Sequence, residues 1–384
     1  IQAGYEKYPK KNWRDLIKHK KGVLITDFAD LREFLIIQEL KDGLPRIKFI
    51  NKKNNKKTEI KFDEKAYQLN FNEGAEYASN LIRVNYSAMN VPATVYQYNL
   101  KTEKRKKLKQ QKIPAGFNKN KYETKRIFAK SHDGKKIPIS ILKLKTTKNN
   151  APTLLYGYGS YGISMTPSFS VARLSLVDRG MVFAIAHIRG GMEKGRQWYL
   201  DGKLRKKKNT FKDFINSAKF LKNSKISKDL TIHGGSAGGL LIGSTINMAP
   251  KLFKSAVADV PFVDVLNTIL DASLPLTPPE WEEWGNPILN KKDFQNIQSY
   301  SPYDNIKKQE YPSLLVTAGL TDPRVTYWEA AKWVARLREL KTDNNDIFLK
   351  TNMDAGHAGK AGRYHQIDET AFMYSFILNS HNLL

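Results

Sequence analysis

The sequence predicts an α/β fold with a mostly parallel sheet, preceded by a smaller region of short β-strands. From Tyr122 onward, short apolar runs alternate with segments of helical periodicity, which is typical of an α/β fold. Before about residue 115, strand-like runs are separated by polar turns instead of helices. A chain of 384 residues with 41% hydrophobic residues is long and apolar enough for two domains.

The first part of the chain contains a weak repeat. Residues 46–51 resemble a strand and are followed by a Lys-rich turn and a second run at 58–60. Residues 94–99 and 106–108 show the same arrangement 48 residues later. This period is typical of the four-stranded blades of β-propellers. Because two blades cannot close a propeller, residues 1–117 are expected to be the C-terminal part of a longer propeller, with a small β-sandwich as the alternative.

The second part, residues 118–384, has the pattern of a parallel sheet with connecting helices. Apolar runs predict six strands, at residues 152–156, 180–186, 230–233, 255–260, 313–317 and 347–350. Helical periodicity predicts four longer helices, at residues 210–223, 238–248, 328–340 and 368–378.

A glycine-rich motif lies between the third of these strands and the second of these helices. It reads Gly234-Gly235-Ser236-Ala237-Gly238 and matches the pattern G-x-S-x-G. Between a strand and a helix, this pattern is typical of the nucleophile elbow of α/β-hydrolases, in which a strained turn exposes the serine hydroxyl. The alternative is a structural or phosphate-binding turn, but the strand–turn–helix setting favours Ser236 as a nucleophile.

A serine hydroxyl needs a general base, because it is a weak nucleophile at neutral pH. His357 follows the last predicted strand in a loop flanked by glycines, and Asp322 follows the strand before it. A lone Asp before proline is usually a turn residue. The order Ser236, Asp322, His357 is nevertheless that of α/β-hydrolases, so we predict that Asp322 orients His357. His187 and His233 are weaker candidates for the base.

Acyl transfer also needs donors for the oxyanion. The backbone amide of Ala237, directly after the candidate nucleophile, is the expected first donor. The second is expected in the Gly- and Tyr-rich loop at residues 155–162, where either a backbone amide or the Tyr158 hydroxyl is suitable.

The distribution of charge suggests where a substrate binds. The chain carries a formal net charge of +27, yet residues 255–290 contain neither Lys nor Arg. An acidic segment near an active site would locally offset the positive field and favour a cationic substrate; the alternative is an ordinary acidic helix end. The acids of this segment are Asp259, Asp264, Asp271, Glu280, Glu282 and Glu283.

Together these motifs resemble the prolyl oligopeptidase family, and most closely its oligopeptidase B branch. The resemblance is strong over residues 120–384 and loose over the first 115 or so. It implies a seven-bladed propeller, of which this chain would hold about the last two blades, so the chain is expected to be a fragment, a nicked product or one half of a split protein. The motifs lie at residues 156–162, 187–191, 202–204, 209–211, 234–239, 282–287 and 301–305.

The resemblance also implies roles for individual residues. Tyr158 corresponds to the tyrosine whose hydroxyl completes the oxyanion site, and Arg324 to an arginine that holds a carbonyl of the bound peptide. Glu280 and Glu282 correspond to the glutamates of oligopeptidase B that bind a Lys or Arg at P1, the substrate residue before the cleaved bond. No metal or organic cofactor is implied.

These observations predict a serine endopeptidase that cleaves short peptides after Lys or Arg. A prolyl-specific peptidase and an acyl-peptide hydrolase are the alternative enzymes, although a proline pocket is apolar. The non-enzymatic alternatives are an inactive fragment and a basic nucleic-acid-binding protein. No nucleic acid or membrane partner is expected, and the possible partner is the missing N-terminal part of the same protein. The absence of cysteine and of a long apolar segment suggests a cytoplasmic location.

Overall fold

The computed structural model describes residues 13–384, and the 48-residue repeat forms two four-stranded antiparallel sheets in it. Each sheet has its strands in chain order, which is the arrangement of a propeller blade. Asn55 and Glu103, 48 residues apart in the equivalent turns, both have φ of 57°. The strands are β1 (Val23–Asp30), β2 (Phe34–Lys41), β3 (Leu44–Asn51), β4 (Lys57–Ile60), β5 (Tyr67–Asn72), β6 (Leu81–Ala88), β7 (Val91–Asn99) and β8 (Arg105–Gln110).

Alternating side chains explain why these segments form strands. Along β3 and β6, buried residues recur at every second position, so one face of each sheet is apolar. The apolar faces of both sheets contribute to one core, which includes Ile36, Phe49 and Ile82. The repeat seen in the sequence is therefore a repeat of packing as well as of pattern.

The second part of the chain is built on an eight-stranded sheet in the order β16-β15-β14-β13-β11-β12-β10-β9. Strands β11 to β16 run parallel to one another, β10 pairs antiparallel with β12, and β9 pairs antiparallel with β10. The strands are β9 (Tyr122–Lys130), β10 (Lys136–Leu144), β11 (Ala151–Tyr156), β12 (Val182–Ala186), β13 (Ser227–Gly235), β14 (Ser255–Asp259), β15 (Ser313–Gly319) and β16 (Ile347–Asn352). All six predicted strands are present, and β9 and β10 are additional.

Helices cover both faces of this sheet. Helices α3, α4 and α8 contribute to the core on one face, and α1 and α9 to the core on the other. The four predicted helices correspond to α3, α4, α8 and α9. The helices are α1 (Val171–Asp178), α2 (Arg196–Leu200), α3 (Lys208–Asn223), α4 (Ala237–Met248), α5 (Val265–Leu270), α6 (Thr277–Trp284), α7 (Lys291–Gln298), α8 (Tyr327–Leu340) and α9 (Arg363–Ser380).

The parallel strands determine where chemistry can occur. Strands β13, β15 and β16 end at the same edge of the sheet, and the loops after their carboxyl ends carry Ser236, Asp322 and His357. Ligands of open α/β sheets bind at this edge. Within residues 13–384, no helix has both the length and the apolar character needed to cross a membrane.

Candidate active site

Ser236 occupies a strained turn between β13 and α4. Its backbone has φ of 56° and ψ of −121°, a conformation that is costly for a residue with a side chain. The turn is tied to β14 and to the segment after it, because the Ser236 amide donates to the Asp259 carbonyl at 2.8 Å and the Ser236 carbonyl accepts from the Phe262 amide at 3.1 Å. The turn also requires glycine, since a Cβ on Gly234 would lie 2.4 Å from the Gly238 oxygen. The turn therefore has the strained strand–turn–helix geometry that is expected of a nucleophile elbow.

Asp322 and His357 form a hydrogen-bonded pair. His357 Nδ1 lies 2.7 Å from Asp322 Oδ2, and the Asp322 side chain is fully buried. The second carboxylate oxygen accepts the amides of Arg324 at 2.8 Å and Val325 at 3.0 Å, which prevents the carboxylate from turning. A carboxylate at Nδ1 favours the tautomer with the proton on Nδ1, and Nε2 is then free to accept a proton.

The Ser236 hydroxyl is not hydrogen-bonded to this pair. Within residues 13–384 it has no hydrogen-bond partner, although its turn and the Asp322 and His357 loops lie at the same edge of the sheet. Hydrogen bonds between catalytic groups are often long before substrate binds. The structure thus brings Asp322 and His357 into contact, and it does not form the predicted hydrogen bond between His357 and Ser236.

A cavity of about 680 Å³ opens beside Ser236. Both candidate oxyanion donors, Tyr158 and Ala237, line it. The Ala237 amide is at the first position of α4, where an α-helix leaves its amides without a partner inside the helix. Burial raises the pKa of Tyr158 to about 12, so its hydroxyl keeps its proton and can donate at neutral pH.

Lys207 supports the loop that carries Tyr158 and was not recognised from the sequence. Its Nζ donates to the Gly159 carbonyl at 2.7 Å and to Ser160 Oγ at 2.6 Å, and lies 4.8 Å from the centre of the Trp284 ring. Burial lowers the pKa of Lys207 to about 8. The sequence contains no signal for this role, because Lys207 is one of four consecutive basic residues.

Of the acids on α6, Glu280 reaches the cavity. It is half-buried, and its Oε2 accepts hydrogen bonds from the Tyr161 hydroxyl at 2.8 Å and from Trp284 Nε1 at 2.6 Å. Burial raises the pKa of Glu280 above its ordinary value. Glu282 is exposed and is absent from the cavity lining, because two residues along an α-helix correspond to a rotation of about 200°.

Glu283 lies on the inner side of α6 and holds the neighbouring loop. It is 3% exposed, and it accepts hydrogen bonds from the Tyr161 amide at 3.1 Å and from the Tyr199 hydroxyl at 2.6 Å. The helix therefore separates its acids by position: Glu280 lines the cavity, Glu283 supports Tyr161 and Glu282 faces solvent.

Two further charged residues line the cavity. Arg324, the candidate for binding a substrate carbonyl, is exposed at its surface. Glu329, from the first turn of α8, is almost completely buried and was not recognised from the sequence. A signal was nevertheless present, because Glu329 shares the helical stripe of Trp333 and Leu337, where an apolar residue is expected.

The weaker candidates for the base are engaged elsewhere. His187 is fully buried, with Nε2 2.8 Å from Ser140 Oγ, and burial lowers its pKa. His233 Nε2 lies 2.6 Å from Asp259 Oδ2. Both rings therefore have polar partners that do not include Ser236.

Comparison with family models gives two matches. Residues 167–383 match the model described as the prolyl oligopeptidase family. Residues 2–111 match the model described as the N-terminal beta-propeller domain of prolyl oligopeptidase. The two small sheets are accordingly propeller blades, and the β-sandwich alternative is wrong.

Individual relatives agree with these matches. Dipeptidyl aminopeptidase BI of Pseudoxanthomonas mexicana is 44% identical over 99% of this chain and 53% of its own length. Protease 2 of Moraxella lacunata is 40% identical over 95% of this chain and 53% of its own. The structure of oligopeptidase B from Leishmania major superposes with a TM-score of 0.89 at 42% identity, covering 96% of this chain and 53% of that one. The chain thus spans about half the length of the curated relatives it matches, and the fold class is confirmed.

Proposed function

Because this chain belongs to the prolyl oligopeptidase family, we propose that it provides the active site of a serine oligopeptidase that hydrolyses short peptides after Lys or Arg. The observation that carries the proposal is the pairing of Asp322 with His357 at the sheet edge where the elbow presents Ser236. Since the chain spans about half the length of its relatives, the proposal refers to the activity of the whole protein.

The proposed reaction has two stages. His357 Nε2 takes the proton of the Ser236 hydroxyl while Oγ bonds to the substrate carbonyl carbon, and Asp322 stabilises the imidazolium. The Ala237 amide and the Tyr158 hydroxyl donate to the resulting oxyanion. His357 then protonates the leaving amine, and water hydrolyses the acyl-enzyme by the same route. This sequence requires His357 Nε2 to come within hydrogen-bond distance of Ser236 when substrate binds.

The preference for Lys or Arg rests on Glu280. Its carboxylate lines the cavity beside Ser236, and two donors orient it. Apolar side chains form much of the remaining lining and suit the methylene part of a long cationic side chain. A cation near Glu280 would offset the cost of burying the carboxylate. An apolar pocket for proline would not contain such a group.

A specific observation supports a second candidate activity. One similar protein is named dipeptidyl aminopeptidase, which indicates release of dipeptides from a free amino terminus. Substrates with identical P1 residues and either a free or a blocked amino terminus distinguish this activity from endopeptidase cleavage.

The central test compares chromogenic peptides that differ only at P1, with Arg, Lys, Pro or an uncharged residue. We expect turnover of the Arg and Lys substrates, its loss in Ser236→Ala, and labelling of Ser236 by a fluorophosphonate. Retained activity in Ser236→Ala, or labelling at another residue, would refute the nucleophile. Preference for Pro would refute the specificity. Absence of both turnover and labelling in the whole protein would favour the non-enzymatic alternative, in which this chain is inactive and acts only as a partner subunit.

Two further proposals concern the domain boundary and the location of the protein in the cell. The boundary between propeller and hydrolase is placed after residue 117, within the strand-free segment between β8 and β9, where limited proteolysis should cut first. The cytoplasmic location is tested by fractionating cells that produce the protein.

A further inference from the structure

We propose that Glu329 is a second carboxylate of the P1 site, and that together with Glu280 it makes the cavity selective for a cationic substrate side chain. This inference rests on the proposed peptidase function. It assigns a role in specificity to a residue of α8, a helix outside the acidic segment on which the expected P1 site was based.

The position of Glu329 is unusual for an acid. It lies in the first turn of α8, seven residues after Asp322, and is 1% exposed. The next positions on its helical stripe, Trp333 and Leu337, are completely buried. Glu329 nevertheless lines the same cavity as Ser236 and Glu280. Burying a carboxylate is costly unless polar or charged partners compensate it.

Hydrogen bonds supply part of this compensation. Oε2 of Glu329 accepts the amides of Val263 and Asp264, each at 2.9 Å, and Oε1 accepts from Thr268 Oγ1 at 2.7 Å. These contacts fasten the segment after β14 to α8. They do not require a negative charge, because a glutamine could accept both amides with its oxygen and donate its NH₂ group to Thr268. The charge of Glu329 therefore needs another explanation.

The charge balance of the cavity explains why a charged residue is present at position 329. Its charged lining residues are Glu280, Arg324 and Glu329. With Glu280 alone, Arg324 would neutralise the cavity, and a cationic side chain would then enter a site without net attraction in a chain of net charge +27. With both carboxylates ionised the cavity carries one net negative charge, and a bound Lys or Arg side chain makes it neutral.

The protonation of Glu329 can respond to the substrate. Burial raises its pKa to about 7, so near neutral pH the carboxyl group is only partly ionised. Asp264 opposes its ionisation, and Lys332, which is hydrogen-bonded to Asp264, favours it. The other charged groups that line the cavity are Glu280 and Arg324. A cation bound nearby shifts the balance toward the carboxylate, because an opposite charge stabilises the ionised form.

The test compares Arg with citrulline at P1, since citrulline has nearly the same shape and no charge. Glu329→Gln can keep the two hydrogen bonds from the backbone amides and reverses the one with Thr268, while it removes the charge. We expect kcat/KM for the Arg substrate to fall about tenfold while the value for citrulline changes less than about twofold. Glu339→Gln is the matched control, because it removes one exposed negative charge from the same helix and should leave the ratio unchanged.

The outcomes separate this inference from the proposed function. If Glu329→Gln keeps the wild-type ratio of Arg to citrulline turnover while Glu280→Gln lowers it, Glu329 is structural only and the inference is overturned. If the wild type does not prefer Arg over citrulline, the proposed P1 specificity itself fails, and the inference fails with it.

A second measurement applies if Glu329→Gln does not fold. The ratio of Arg to citrulline turnover should rise with pH around neutrality as Glu329 ionises. Deprotonation of His357 changes the turnover of both substrates equally, so it does not affect this ratio. To exclude Glu280 as the source, the ratio is also measured in Glu280→Gln. A rise that persists there supports the role of Glu329, and a flat ratio overturns it.

Discussion

Replacing Glu280 by glutamine isolates the charge that we propose recognises the substrate. Glutamine has the same shape, and its amide oxygen can keep the hydrogen bonds from the Tyr161 hydroxyl and Trp284 Nε1, which both end on Oε2. The cavity loses one carboxylate that faces the P1 side chain. A charge-assisted hydrogen bond contributes about 1.5–3 kcal/mol, which corresponds to a fall of roughly tenfold to a hundredfold in kcat/KM for an Arg substrate.

Glu282 provides the internal comparison. It is exposed and absent from the cavity lining, so Glu282→Gln should change kcat/KM for either substrate by less than about twofold. The assay measures kcat/KM for Arg and citrulline substrates in both variants and in the wild type. Equal losses for the two substrates in Glu280→Gln would show that shape was disturbed. A selective loss in Glu282→Gln would show that the P1 site lies elsewhere and that the geometric assignment is wrong.

Three other changes test the triad, the oxyanion loop and the buried acid. Asp322→Asn should lower kcat about 10⁴-fold with the fold preserved, because His357 loses the carboxylate that selects its tautomer; circular dichroism provides the check, and near-normal turnover would contradict the role. Lys207→Met should lower kcat about tenfold for Arg and citrulline substrates alike, because the loop bearing Tyr158 loses two hydrogen bonds, whereas a selective effect on Arg would indicate a role in P1 binding. Glu329 should make the protein less stable as pH rises. The carboxyl group has an ordinary pKa of 4.5 in the unfolded chain and a pKa of about 7 in the folded protein, so the unfolded chain loses the proton first. The free energy of unfolding therefore falls between pH 4.5 and pH 7 by on the order of 3 kcal/mol. Urea unfolding near pH 5 and near pH 8 measures this difference, which Glu329→Gln should remove; an equal pH dependence in that variant would contradict the assignment.

Local sequence patterns were sufficient to predict the central strands, the turn at Ser236 and the propeller repeat of this protein. The central strands of a parallel sheet are buried on both faces, so they appear in the sequence as uninterrupted apolar runs. The elbow at Ser236 needs small residues within one short turn, and this requirement is visible as a motif. The chain order of Ser236, Asp322 and His357 follows from which strand precedes each loop. The propeller repeat was recognisable because its strands and turns recur at a constant spacing.

Elements with weaker local patterns were not predicted. Strand β9 contains several charged residues and lies at the edge of the sheet, so its sequence lacks a continuous apolar run. Helices α5 and α6 contain six and eight residues, which is too few to show a clear helical period. Their presence depends on packing into the core of the hydrolase region more than on their own sequence.

The composition of the cavity beside the elbow was decided by tertiary structure. The resemblance to oligopeptidase B implied that Glu280 and Glu282 both bind a cation, but the rotation of α6 directs Glu280 to the cavity and leaves Glu282 in solvent. Lys207 and Glu329 became recognisable only as buried charges, the first beneath the loop that carries Tyr158 and the second in the cavity wall. A residue of the site can be predicted from the sequence when it belongs to a recognisable motif or follows a recognisable strand. Whether a distant charged residue belongs to that site depends on its burial and its neighbours, and these exist only once the chain has folded.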